Sequence, residues 1–311
     1  MSTPRPRLLV VGSVAIDWII TPRAERPEAV GGSATFFSMA ASYLAPVRLV
    51  GVVGHDFPAA AIADLEAHGV DTDGLEIVGD GLTFRWKGRY HENMNSRDTL
   101  DTQLNVFASF EPKLPASFRD SEYVFLANIQ PDLQLEVLAQ VERPRVVGLD
   151  TMNLWIDIAK PALLKVLGKV DALLINEEEA KQLSGEHNLV KAAKAVQRMG
   201  PHSVIVKRGE YGALLFHGDD VFSAPALPLD EVIDPTGAGD AFAGGFMGWL
   251  ARSDEPHGAQ LRTAMIYGSV LASFAVQGFS YDGIGSLDAE AIRARFDTFA
   301  QLTDFRRAEL R

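Results

Sequence analysis

Residues 234–246 read DPTGAGDAFAGGF and set a carboxylate, Asp240, directly behind a Gly-Ala-Gly turn at the head of an apolar helical run. A helix N-terminus carries unpaired N–H groups and positive dipole character. Gly237, Ala238 and Gly239 let the backbone approach a ligand closely, with their amides turned to an anion. A carboxylate beside that anion repels it unless it has a second task. The task that fits is to orient a hydroxyl and accept its proton while the amides hold a phosphoryl group in transfer. Phosphoryl transfer has a loose transition state, so little deprotonation is needed early and a positioned carboxylate suffices. The plainer alternative makes Asp240 a first-turn aspartate that stabilises its helix.

Two further pairs invite the same question. Asn176 closes an apolar run and Glu179 lies three residues on, so one helical turn puts both on one face. Glu177 and Glu178 between them read as a solvated helix start favoured by the dipole. Gly31 and Gly32 precede a helix of small residues, and are either a plain turn or a point of close substrate approach.

Strands must carry these groups. Apolar runs at 46–54, 123–129, 145–151, 172–176, 203–209 and 212–218 read as strands, and the N-terminal RLLVVGSVAIDWII as a strand, a glycine and a second extended piece. Helical patterns lie between several of them, as at 57–69 and 188–200. Such alternation predicts a mostly parallel sheet flanked by helices on both faces, and 311 residues suffice for one large α/β domain or two modest ones. In an open sheet of that kind, ligands sit beyond the carboxyl ends of the strands. Residues 75–110 differ. TFRWKGRY puts Phe84, Trp86 and Tyr90 on one face and Arg85, Lys87 and Arg89 on the other, and DTQLNVFASF alternates through Leu104, Val106 and Ala108. Both predict half-exposed antiparallel strands, either a small inserted sheet or an edge hairpin.

Composition narrows the class. A net charge of −12 argues against a nucleic-acid or anionic-membrane partner. Absence of cysteine excludes disulfides, thiolate catalysis and cysteine-held metals. The N-terminal apolar run is too short for a signal segment and no run approaches a membrane span, so a cytoplasmic protein is expected.

DPTGAGDAFAGGF resembles the C-terminal signature of the ribokinase-like, or PfkB, family of carbohydrate and nucleoside kinases. VVGSVAID (10–17), VGGSATFFSMAASYL (30–44), LLINEEEAKQLSG (173–185) and VKRGEYGALLF (206–216) resemble further family elements in the expected order. The resemblance implies one ribokinase-like domain over residues 1–311, an α/β fold with a doubly wound, mostly parallel sheet, and an ATP-dependent kinase that phosphorylates a hydroxymethyl of a sugar, with a ribonucleoside kinase as the alternative and an inactive binding module as a third reading. It implies that Asp17, Gly31, Gly32 and Ser33 face the substrate and that Lys207, Gly209 and Gly212 face ATP, although Lys207 also reads as an edge-strand charge. Asn176 and Glu179 would organise Mg2+, largely through water, since that ion keeps its hydration and takes few protein ligands. Asp234 and Thr236 match positions that hold a monovalent cation such as K+. The family lid is a small β-sheet, here near 13–30 and 75–110, that excludes water and often pairs subunits, so a homodimer is expected.

The departures concern substrate. GGSATF puts Ser33 and Phe36 where ribokinases carry Lys and Asn, and Ala15 stands where they carry Asn. Fewer polar groups then face the sugar. Phe36, Phe37 and Trp86 can stack on a base or be core. Arg85, Lys87, Arg89 and Arg97 can bind a phosphosugar or be solvated. Asn128, Gln130, Asp150 and Asn153 lie near strand ends, where some should line the pocket. No G-x-G-x-x-G follows the first strand and no GxxxxGK[ST] occurs, which sets aside a Rossmann dehydrogenase and a P-loop kinase.

Overall fold

The computed structural model describes residues 7–253 and 257–304. Its strands are β1 (Leu8–Val11), β2 (Ala15–Ile20), β3 (Glu25–Gly31), β4 (Val47–Gly54), β5 (Val70–Val78), β6 (Phe84–Tyr90), β7 (Arg97–Gln103), β8 (Tyr123–Leu126), β9 (Val146–Asp150), β10 (Ala172–Asn176), β11 (Ser203–Lys207), β12 (Ala213–His217) and β13 (Asp220–Ala224). The helices are α1 (Ser33–Ser42), α2 (Ala59–Ala67), α3 (Pro131–Gln140), α4 (Asn153–Ile158), α5 (Lys160–Leu167), α6 (Glu177–Ser184), α7 (Leu189–Gln197), α8 (Ala238–Arg252), α9 (His257–Ala275) and α10 (Ala289–Leu302).

Nine strands form one sheet in the order β13-β12-β11-β10-β9-β8-β1-β4-β5. Neighbours from β5 across to β11 pair parallel, and β12 and β13 close that edge antiparallel. Its inner strands are continuous apolar runs because both faces are covered. Successive side chains point to opposite faces, so Leu8 and Val10 enter a core with α1, α8 and α9, while Leu9 and Val11 enter a second core with α3, α5, α6 and α7. The chain leaves β1 toward β4 on one side and later returns to β8 on the other. The switch point expected of a doubly wound sheet therefore lies at β1, and the ends of β9, β10 and β11 open on the same side.

A second sheet, in the order β3-β2-β6-β7, stands apart from the first. β2–β3 and β6–β7 are antiparallel, the latter as the alternation within 75–110 predicts, and β2–β6 is parallel. β2 and β6 come from separate excursions of the chain, so no hairpin constrains their direction. Residues 75–78 belong to β5 at the edge of the large sheet. The alternation at 104–108 predicts a strand, but Asn105–Ser109 forms a short 3-10 turn. Val106 fills the second core from it, and the Phe107 ring lies 5.2 Å from that of Phe84. Apolar burial there is met by a turn as well as by a strand. Among the described residues no helix is long and apolar enough to cross a membrane.

Candidate active site

Helix α8 starts at the Gly-Ala-Gly turn, with Gly237 as its N-cap in the left-handed region at φ 74. Only glycine fits here for a second reason: a Cβ would overlap the ring of buried Phe36. The Ala238 amide donates to Pro235 O at 3.2 Å and is turned away from the mouth of the site. The amides of Gly237 and Gly239, the open anion cradle, make no backbone hydrogen bond among the described residues, while the Asp240 amide lies against its own carboxylate. Asp240 is partly accessible beside that cradle. Burial and the nearby Asp150 push its carboxyl pKa up, against the opposing charges of Lys207 and Arg97.

Lys207 ends β11 and is mostly buried. Its Nζ pairs with Asp150, at the end of β9, at 2.9 Å. It also lies 3.1 Å from where a Cβ on Gly239 would stand, so its charge sits under the anion cradle. Burial pulls the Lys207 pKa down, but Asp150, Glu179 and Asp240 outweigh this and raise it. This lysine is neither an exposed edge charge nor remote from the phosphoryl end. β10 and β11 pair Asn176 directly with Lys207, which brings α6 beside the same point.

Asn176 and Glu179 form a reciprocal capping box: Glu179 N donates to Asn176 Oδ1 at 2.8 Å and Asn176 N to Glu179 Oε2 at 2.9 Å. Glu179 is buried, and burial with the neighbouring Asp150 pushes its carboxyl up to about 7. Its Oε1 makes no hydrogen bond among the described residues, leaving one oxygen for a hydrated cation. No group of three or more His, Asp or Glu is arranged to ligate a metal directly among the described residues. The donor set therefore suits an ion that keeps its water, as Mg2+ does.

On the other side of the cradle lies Asp17, in β2. A Cβ on Gly31 would overlap its carboxylate, so the glycine makes room for the acid. Burial, then Asp234 and Asp240, push Asp17 up to about 8. Gly32, at φ 96, caps α1. Ser33 is committed elsewhere, since its Oγ lies 3.1 Å from that of buried Ser13 and its amide donates to that same oxygen at 3.0 Å. Asp234 is 1% exposed. Its Oδ1 accepts from Thr236 N at 2.9 Å. Its Oδ2 is buried and makes no geometric hydrogen bond, although the Ser280 amide is close enough to favour its ionised form. A buried, unpartnered carboxylate oxygen is a fit for a dehydrated monovalent cation.

The small sheet closes over this centre. Thr236 Oγ1 donates to Tyr90 Oη at 3.0 Å, and Ile19, Ala29 and Tyr90 pack with Trp86, Met94 and Phe279. Trp86 lies flat on β6 because Gly88 has no side chain to hold it off. At the far tip, Asn95 Nδ2 donates to Glu210 Oε1 at 2.8 Å, above the turn between Gly209 and Gly212. Gly212, at φ 82, turns the chain into β12. Phe36 and Phe37 are core, the latter stacked on Phe125 at 4.5 Å. Of the four polar residues near strand ends, Asp150 alone joins the charged cluster. Asn128 accepts from Trp155, Asn153 donates to Gln182, and Gln130 is exposed at the head of α3.

A helix-terminal anion cradle with a carboxylate, a buried lysine and a capped acid, at the switch point of a doubly wound sheet, defines a phosphotransferase that uses a hydroxyl acceptor. Residues 5–282 match the model of the pfkB family carbohydrate kinases, and the chain belongs to that family. It is 32% identical over 251 residues to a cytidine kinase of Thermococcus kodakarensis, across 79% of this chain and 88% of that protein. It is 27% identical to a nucleoside kinase of Methanothermobacter thermautotrophicus, across 87% and 89%. Among solved structures, aminoimidazole riboside kinase from Salmonella enterica, complexed with aminoimidazole riboside and an ATP analogue, superposes with a TM-score of 0.74 at 20% identity, over 93% of this chain and 99% of that one.

Proposed function

We propose that this kinase transfers the γ-phosphoryl group of ATP to the exocyclic hydroxymethyl of a ribonucleoside. The observation that carries the nucleoside reading is Trp86, held flat on the inner lid face opposite Asp17 in the β2–β6 ladder, where it offers a platform for a base. The similarity to a cytidine kinase and a nucleoside kinase supports it. A free sugar is the second reading, favoured by the family's description as carbohydrate kinases.

Asp17 and the backbone at Gly31 and Gly32 hold ribose hydroxyls in this reading, and Asp240 orients the attacking one and takes its proton. The open amides of Gly237 and Gly239 and the Lys207 ammonium stabilise charge on the phosphoryl oxygens. The turn between Gly209 and Gly212 bounds the nucleotide groove. Glu179, locked by Asn176, holds water on Mg2+, which would neutralise phosphate charge, and Asp234 with Thr236 holds a monovalent cation such as K+. Residues 1–311 act as one kinase domain in the cytoplasm, with the small sheet as a lid. A homodimer joins through the lid's outer face, where exposed Trp18 lies under Lys87 Nζ at 3.3 Å. Sedimentation should show a dimer that Trp18→Asp splits; a wild-type monomer would remove that assembly.

ADP release with Mg2+ and ATP across sugars, phosphosugars and ribonucleosides tests the assignment. A ribonucleoside should turn over best, and Trp86→Ala should raise its KM about tenfold, the scale of one base stack. Asp240→Asn should lower kcat about 10²-fold or more while leaving ATP affinity nearly intact. Turnover of free sugars alone would overturn the nucleoside reading, and near-wild-type turnover in Asp240→Asn would overturn the role of that residue.

A further inference from the structure

Arg97 opens β7 directly opposite Tyr90 in the β6–β7 ladder, so the two side chains leave the sheet on the same face. Its guanidinium stands 5.6 Å from the centre of the Trp86 ring. Its charge acts against the burial that raises the carboxyl pKa of Asp17 and Asp240. Its ladder partner Tyr90 accepts a hydrogen bond from Thr236 Oγ1 at 3.0 Å, one residue before the Gly237 cap of α8, so the sheet face that carries Arg97 is turned to the head of α8. Arg97 forms no ion pair among the described residues, whereas Arg85 in the neighbouring strand is tied to Asp56 at 2.8 Å. Its hairpin is pinned on both sides, by Asn95 to Glu210 and by Thr236 to Tyr90. Across the cleft, Lys207 lies under Gly239, locked to Asp150. An anion on the α8 cradle therefore has one cation beneath it and a second, still unpaired, facing it from the lid.

We propose that Arg97 is a catalytic residue of this kinase, contacting the transferring phosphoryl group from the lid and clamping it against Lys207. The inference rests on the ATP-dependent transfer described above, but not on the identity of the acceptor. In that transfer the acceptor oxygen forms a bond to the γ-phosphorus and its proton goes to Asp240. The bond from the γ-phosphorus to the bridging oxygen breaks, and ADP leaves with the electron pair. Charge on the phosphoryl oxygens peaks between these events. A planar guanidinium can donate two parallel hydrogen bonds to two of those oxygens, which an ammonium cannot match. Because Arg97 arrives with the lid, the clamp is complete only when the site is closed, which couples full catalysis to exclusion of water.

Arg97→Gln and Arg97→Lys test this in the full chain. Arg97 is exposed and forms no ion pair among the described residues, so both variants should melt as wild type does. The first readout needs no acceptor: affinity for Mg2+–ADP is measured with and without aluminium fluoride, which mimics the transferring phosphoryl. Wild type should bind about tenfold or more tighter with the fluoride, and Arg97→Gln should lose that gain while binding ADP alone as before. Equal gain in both proteins overturns the proposal. The second readout uses whichever sugar or nucleoside releases ADP. Arg97→Gln should lower kcat about 10²-fold or more with each KM within about threefold, and Arg97→Lys should recover only part. A raised acceptor KM at unchanged kcat would make Arg97 an acceptor ligand and overturn its place on the phosphoryl group. The fluoride readout stands even if the nucleoside assignment fails.

Discussion

Lys207 and Asp150 show how one buried pair serves both the fold and the chemistry. Removing one partner of such a pair leaves an uncompensated charge, at a cost of about 3–5 kcal/mol. Lys207→Met should therefore lower the melting temperature as well as turnover. The double variant Lys207→Met, Asp150→Asn should recover most of the stability and none of the turnover; recovery of both would leave Lys207 with a packing role alone. Asp240 titrates beside this pair. A proton acceptor must be ionised, and its pKa is raised by burial and Asp150, so kcat/KM should fall with decreasing pH through a midpoint above the ordinary carboxylate range. A pH–rate profile flat down to that ordinary range would contradict the assignment.

The elements are built to hold these groups at close quarters. α8 carries Gly244 and Gly245 on opposite approaches: a Cβ on the first would overlap Phe37 O in α1, and one on the second would stand 2.5 Å from Tyr267 O in α9. The helix is thus wedged between two neighbours, and its N-terminus has little freedom to move. Gly245→Val should destabilise by about 1–3 kcal/mol or more through overpacking, and should lower kcat without touching any ligand. Unchanged melting of that variant would show that α8 can shift. α6 is held differently, by the capping box of Asn176 and Glu179 rather than by packing of small residues. The same two side chains that organise its first turn leave Glu179 Oε1 without a hydrogen bond among the described residues.

At the scale of the whole molecule, the site gathers acids that the fold makes difficult to ionise. Asp17 is pushed up to about 8, Glu179 to about 7 and Asp234 to about 6, each mainly by burial. These groups keep their protons in the folded state to higher pH than in the unfolded chain. Between the unfolded and folded pKa values the folded protein binds more protons, so stability falls as pH rises from the ordinary carboxylate range toward about 8. Asp17→Asn should remove part of that slope and raise the melting temperature near neutral pH by about 2 °C or more, while abolishing acceptor binding. A variant that melts lower at every pH would show that the Asp17 carboxylate stabilises the ligand-free lid.

The local code of this chain was enough for the mostly parallel sheet and the helices between its strands, and it singled out Asp240 and Glu179 as candidates, while Asp17 and Asp234 were reached through the resemblance of their stretches to a family signature. Apolar period, glycine turns and residue spacing are written over a few neighbouring positions. Tertiary structure decided the rest. Ser33, expected to face the substrate, is bonded to Ser13, and the amide of Ala238, expected in the cradle, donates to Pro235 O. The parallel β2–β6 pair, the Lys207–Asp150 lock and the bond from Thr236 to Tyr90 that carries the Arg97 strand over α8 join residues 57 or more positions apart, and no short pattern encodes such meetings. They follow from strand order and from which side chains share one end of a sheet, because charge and hydrogen bonding act through space while sequence patterns act along the chain.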